Sequence, residues 1–299
     1  MNRRRRAFLT GSLAAAAGLW ARHPVGAQEE TPRRIPGLDG LKFRVAADGW
    51  GAATVPEVEA VLASASAVLW KYFPQRKVEP FVVLRGRDGP IVHYQRNVMG
   101  EIVMKLDTSG HLWCQYVYQF AHEFCHILCG FRETPLRRNN WFEETLCEVA
   151  SLFVLRRMTG VWTAQPPYPN WQEYAPEFRR YAQGVMDSRS QIGEGHLGDF
   201  YRKHRQTLES TPRDRALNGA LALPLLTLME GAPESWEAVA WLNHGPPLEG
   251  GTFAQYLENW RTAVPVRHRT WVEEVMRRFE APASLNGAAG PSGPAQSAD

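Results

Sequence analysis

The sequence predicts an α+β protein, with a small mixed β-sheet in its N-terminal half and an all-helical C-terminal half. Three observations carry this. Short runs rich in Val, Ile and Leu, bounded by glycine and proline turns, fill the chain as far as Leu106. From Trp113 onward apolar residues recur at spacings of three and four, the period of a helix packed on one face. Beyond Asn140 the periodic segments keep that helical spacing, and glycine or proline breaks separate most of them.

Residues 1–27 read as an export leader of the twin-arginine type. Arg5-Arg6-Ala7-Phe8-Leu9-Thr10 precedes an apolar run from Leu13 to Trp20, and Val25-Gly26-Ala27 offers a small-residue cleavage site before Gln28. The apolar run is well short of the roughly 18 residues a membrane span needs. The expectation is therefore a periplasmic or secreted protein with no stable membrane span. Five of the 34 Lys and Arg residues lie in this leader, leaving 29 against 31 Asp and Glu, so the formal charge moves from +3 to −2. A basic surface for nucleic acid is not implied.

Residues 28–40 read as an irregular segment, and Leu41 to Ala46 alternates like a strand. Val55 to Phe73 is a helix, opened by Thr54 with Pro56 in its first turn and stopped by Pro74. Strands follow at Val78 to Leu84 and Ile91 to Gln95, separated by Gly86-Arg87-Asp88-Gly89-Pro90, and then at Glu101 to Leu106. The next helix carries Trp113, Val117, Phe120, Phe124, Ile127 and Leu128 on its apolar stripe, with Thr108 or Ser109 as cap and Gly130 as terminator. A second helix runs from Asn140 to about Met158. After an aromatic and proline-rich connector come helices at Trp171 to Met186, Gly198 to Glu209, Arg213 to Glu230, Glu234 to Leu242, Phe253 to Ala263 and Arg267 to Phe279. The pattern divides into an α+β unit at 28–158, a helical unit at 159–280 and a tail at 281–299 whose Ala/Gly/Pro/Ser composition predicts disorder.

The helix starting at Trp113 contains His122-Glu123-Phe124-Cys125-His126. Residues four apart lie one turn above each other, so both imidazoles can reach one tetrahedral metal at about 2.0–2.1 Å. Glu123 projects about 100° away from His122, near enough to take a proton from water at the metal without ligating it. A third ligand is available on the following helix: Glu144 lies 18 residues beyond His126, and a loop between them would bring that helix back across the first.

His122-Glu123-x-x-His126 followed by Trp141-x-x-Glu144 resembles the gluzincin branch of the zinc metallopeptidases over residues 100 to 155. The resemblance implies a zincin-like fold and one zinc ion held by His122, His126 and Glu144, with Glu123 as general base. Glu148, four residues past the ligand glutamate, matches the acid that holds a ligand histidine in that family. Thr145 stands where aminopeptidase-like members have glycine, so aminopeptidase specificity is not implied. In the resembled enzymes a sheet strand edges the cleft; residues 101 to 106 are the candidate, against an ordinary interior strand. A Tyr or His from the following domain stabilises the oxyanion in that family. Tyr201 is the nominee, ahead of His204 and Tyr168.

Cys114, Cys125, Cys129 and Cys147 all belong to the two helices of this motif. Cys129 projects about 20° from His122 around the helix, and Cys147 lies three residues past Glu144. A Cys129–Cys147 disulfide, buried free thiols and metal ligation by Cys129 all stay open. Of the 11 tryptophans, Trp236, Trp241, Trp260 and Trp271 fall at helical core spacing. The expected function is an exported zinc-dependent metallopeptidase that cleaves a peptide or protein substrate with zinc-activated water and Glu123 as base. The alternatives are a non-catalytic zincin-fold binding protein and a metal-dependent hydrolase of a non-peptide substrate.

Overall fold

A computed structural model of the protein describes residues 32–130, 138–193, 196–244 and 251–280. The expected leader and tail lie outside these residues. The order is β1 (Phe43–Val45), α1 (Val55–Trp70), β2 (Phe81–Arg85), β3 (Ile91–Arg96), β4 (Ile102–Leu106), α2 (Trp113–Leu128) and α3 (Asn140–Ala164). A 3-10 segment, Pro169–Tyr174, leads into α4 (Ala175–Asp187), α5 (Leu197–Ser210) and α6 (Arg215–Gly231). After a 3-10 turn come α7 (Trp236–Val239), α8 (Phe253–Ala263) and α9 (Val266–Glu280). The fold is thus mixed α and β, with one four-stranded sheet among the described residues. No helix of the described residues is long and apolar enough to cross a membrane.

The sheet order is β1-β2-β4-β3, with β1, β2 and β4 parallel and β3 antiparallel to β4. The strand at 101 to 106 is therefore interior, and β3 and β1 form the two edges. The reason is legible in burial: Ile102, Met104 and Leu106 are all at most 2% exposed, whereas the end of β3, Tyr94 to Arg96, is exposed. The β3–β4 register slips between His93 and Arg96, which re-aims the side chains at that end of the edge.

Helix α1 begins with a capping box. Thr54 Oγ1 accepts from the Glu57 amide at 3.4 Å, and Glu57 Oε2 accepts from the Thr54 amide at 2.7 Å, which satisfies two otherwise orphaned donors. Helix α2 opens differently from the expectation, because Leu112 holds the cap position without a side-chain bond. Thr108 Oγ1 instead meets Gln115 Oε1 at 3.3 Å. Gln119 fastens the turn from β4, accepting from the Asp107 amide at 2.7 Å and donating to the Asp107 carbonyl at 3.1 Å. Gly130 ends the helix as expected, at φ 81°, a conformation that costs a residue with a Cβ about 1–2 kcal/mol.

Helix α3 is the centre of the molecule. It packs against α1 and α2 on one side and α4 and α6 on the other, and Trp141, Phe142, Val149, Phe153 and Trp162 are fully enclosed. It runs without a break through position 158, so the expected division between the two halves falls inside a helix. Trp236 and Trp260 are fully buried and Trp271 nearly so, in keeping with a packing role, while Trp241 is only partly buried against the core.

Candidate metal centre

Helices α2 and α3 cross so that His122, His126 and Glu144 meet. Each residue stands on the apolar-flanked face that its helix turns inward. His122 Nε2 lies 3.2 Å and His126 Nε2 3.7 Å from the same oxygen, Glu144 Oε2, and the two rings are 5.2 Å apart. Ligands at 2.0–2.2 Å from a tetrahedral zinc are separated from one another by about 3.3–3.5 Å. The two nitrogen–oxygen edges bracket that value, so His122, His126 and Glu144 are donors of suitable chemistry at a spacing that a zinc ion could bridge.

The second oxygen of each acid is also engaged. Glu144 Oε1 lies 3.1 Å from Arg213 Nε, in the loop before α6. His126 Nδ1 donates to Glu143 Oε1 at 2.7 Å, since a carboxylate can only accept. Glu143 Oε2 in turn accepts from Asn243 Nδ2 at 2.7 Å. Asn243 also donates to the Cys129 carbonyl at 3.0 Å and accepts from the Tyr256 hydroxyl at 3.1 Å. This chain fixes the His126 ring so that Nε2 faces Glu144.

Electrostatics follow from burial and from these contacts. Burial disfavours charge on both imidazoles. Glu144 and Glu123 more than offset it at His122, and Glu143 and Glu144 at His126, so both pKa values rise, that of His126 strongly. Burial pushes Glu144 up, but the two histidines outweigh it and hold the carboxylate well below its usual range. A metal competes with protons for the same Nε2 lone pairs, so its uptake releases protons. Glu123 is 4% exposed, and burial raises its pKa against the pull of the two histidines. The Val92 amide of edge strand β3 hydrogen-bonds its carboxylate.

Other expected residues lie elsewhere. Glu148 does not hold a ligand histidine: its Oε2 accepts from the Tyr118 hydroxyl and lies 3.4 Å from Arg189 Nη2. Glu143 takes the expected role, because a residue immediately before the ligand faces His126, one turn from His122. Tyr201 is not brought to the imidazoles either. Its ring stacks on Trp141 at 5.3 Å and meets Phe253 at 5.0 Å, and the charges around its hydroxyl are Arg205, Glu209 and Arg138. His204 lies against Phe200 and Tyr168 against Trp171. Tyr94, on β3, is the tyrosine near the centre: burial, then the Glu143 charge, raises its pKa to about 12, while His126 opposes the rise.

The four cysteines are free thiols, so the Cys129–Cys147 disulfide is not formed. Cys125 and Cys129 sulfurs are 3.9 Å apart, and burial, then both of these thiols, raise the pKa of Cys147. Cys147, rather than Cys129, approaches the imidazoles, with its sulfur and one nitrogen of each ring all within 4.8 Å of one another. Asn243 and Arg213 had no local signal, since they lie 100 and 69 residues from the acids they hold.

Comparison of the chain with known protein families, with curated proteins and with solved structures finds no match.

Proposed function

We propose that the protein is a zinc-dependent hydrolase that cleaves peptide bonds, with His122, His126 and Glu144 as ligands and Glu123 as general base. The observation that carries this is the convergence of both Nε2 atoms on Glu144 Oε2, at 3.2 and 3.7 Å, with a buried carboxylate at the intervening residue Glu123. Zinc at this place would acidify water and polarise a scissile carbonyl.

The chain supplies the rest. Glu123 accepts the proton of the attacking water and returns it to the leaving amine, a task favoured by a pKa raised through burial. Glu143 and Asn243 keep His126 aimed, and Arg213 holds the free oxygen of Glu144. The outer side of β3 offers main-chain groups along which an extended peptide can pair as an added strand. The Val92–Glu123 contact puts that strand beside the base. The leader-like N-terminus supports action outside the cytoplasm.

The test is direct. Glu123→Gln keeps zinc and loses about 10²–10⁴-fold in turnover of a broad peptide library, while His126→Ala loses both metal and turnover. Protein purified without chelators that contains no zinc overturns the reading. A second reading, a metal-binding protein without turnover, is favoured by the approach of Cys147 to the imidazoles, because a fourth protein ligand closes the coordination shell. Bound zinc with no cleavage in that digest selects this reading or a non-peptide substrate.

A further inference from the structure

The loop between α5 and α6 carries Arg213 and is fastened to α3 on both sides of that residue. Arg213 Nε lies 3.1 Å from Glu144 Oε1 while its side chain is 71% exposed. Packing therefore does not hold the guanidinium; the backbone beneath it does. On the N-terminal side, the Pro212 carbonyl accepts from Asn218 Nδ2 at 2.7 Å. That donation orients the amide and leaves Asn218 Oδ1 at 3.5 Å from Thr145 Oγ1. On the C-terminal side, the Arg215 carbonyl accepts from Arg189 Nη1 at 2.8 Å, and Arg189 Nη2 reaches Glu148 Oε2 at 3.4 Å. Thr145 follows Glu144 directly and Glu148 lies one turn beyond it. Both fastenings thus end on the stretch of α3 that bears the carboxylate.

We propose that Asn218 is a positioning residue, which sets the Arg213 loop against α3 so that the guanidinium keeps Glu144 turned toward His122 and His126. The role rests on the zinc reading of the centre, whereas the loop geometry does not. Asn218 is 2% exposed, and Ala220 and Leu221 beside it on α6 are buried too. A buried amide costs free energy unless its polar atoms are bonded, and asparagine is a poorer helix former than leucine. An apolar side chain would serve packing better there. What Asn218 supplies instead is the donor for the Pro212 carbonyl. Its neighbour Gly219 leaves room for the second fastening, because a Cβ built there stands 2.5 Å from Arg189 Nε.

The experiment uses the full-length chain, with zinc affinity read by competition against a chromogenic chelator and no substrate present. Asn218→Leu and Arg213→Ala are each expected to weaken zinc binding by about tenfold, at the low end for a group that orients a ligand. The double variant is expected to bind zinc no more weakly than Arg213→Ala alone, because Asn218 acts through Arg213. Wild-type affinity in Asn218→Leu overturns the proposal. So do losses that multiply to about a hundredfold in the double variant, as two independent sites would give. Should Asn218→Leu fail to fold, Asn218→Asp, which keeps the size and removes the donor, is measured in its place with the same outcomes. A chain that shows the shared loss of zinc but cleaves no peptide upholds this inference and removes only the peptidase reading. A wild-type chain that binds no zinc overturns both.

Discussion

Glu143 grips His126 from behind: its Oε1 lies 2.7 Å from His126 Nδ1, and its Oε2 lies 2.7 Å from Asn243 Nδ2. The ligand ring is thus held by a residue a hundred positions away in sequence. Asn243→Ala removes the side-chain donor that holds that second oxygen, and zinc affinity should fall about 10–100-fold. Competition with a chromogenic chelator measures this. Affinity equal to wild type would show that Glu143 needs no such support.

Arg213 holds Glu144 through one contact of 3.1 Å while its own side chain is 71% exposed. An exposed pair of this kind contributes little to folding, about 0.2–1 kcal/mol. Arg213→Ala should therefore leave the denaturant midpoint nearly unchanged yet weaken zinc binding by about tenfold, at the low end for a residue that orients a ligand. A large loss of stability with unaltered metal affinity would refute this division of roles.

Glu101 should make stability fall in acid. Arg44 binds its carboxylate with two bonds, of 2.8 and 2.6 Å, and this contact, helped by Asn97, holds the pKa down to about 2. The folded value lies below the unfolded one, so the stabilising effect is complete above the ordinary carboxylate range and disappears as pH drops toward about 2. Unfolding of wild type and Glu101→Gln, compared across pH, should show a gap at neutrality that closes in acid. A gap independent of pH would rule the linkage out.

Gly198 lies where α5 meets the end of α9. A Cβ built there stands 2.4 Å from the Phe279 carbonyl oxygen, and backbone must shift to admit it. Gly198→Ala should cost about 1–3 kcal/mol, read as a lower melting temperature by calorimetry. An unchanged melting temperature would mean that the two helices can separate freely at this point.

Local pattern made most of the elements legible. The bounds of α8 coincide with the expected Phe253 to Ala263, and the Thr252 capping box that opens it lies in the same segment. The motif on α2 and the partner Glu144 were legible for the same reason: spacing on a helix fixes which side chains share a face. Strand order was not, since alternation in Ile102 to Leu106 says nothing about which neighbour lies outside it. Glu148 follows from the family resemblance alone; that Glu143 meets His126 instead depends on the rotation of α3 against α2, which spacing within one helix does not set. Arg213 and Asn243 were beyond reach because their roles arise only once the helical half folds back over the metal centre. The cysteines could be assigned to the two helices, but not to free thiols rather than a bridge.

Phe279, in the last turn of α9, touches Trp141 at 6.1 Å and Phe142 at 5.8 Å between ring centroids, and those two rings immediately precede Glu143 and Glu144. The final helix is thereby a buttress for the two carboxylates, although it contributes no group to the chemistry. A nascent chain lacking that helix would carry His122, His126 and Glu144 with one brace on the start of α3 missing, Tyr201 and Phe253 being others. Synthesis must reach the C-terminal helix before the centre acquires its final rigidity, and proteolytic clipping inside α9 should loosen Glu143 and Glu144 from a distance.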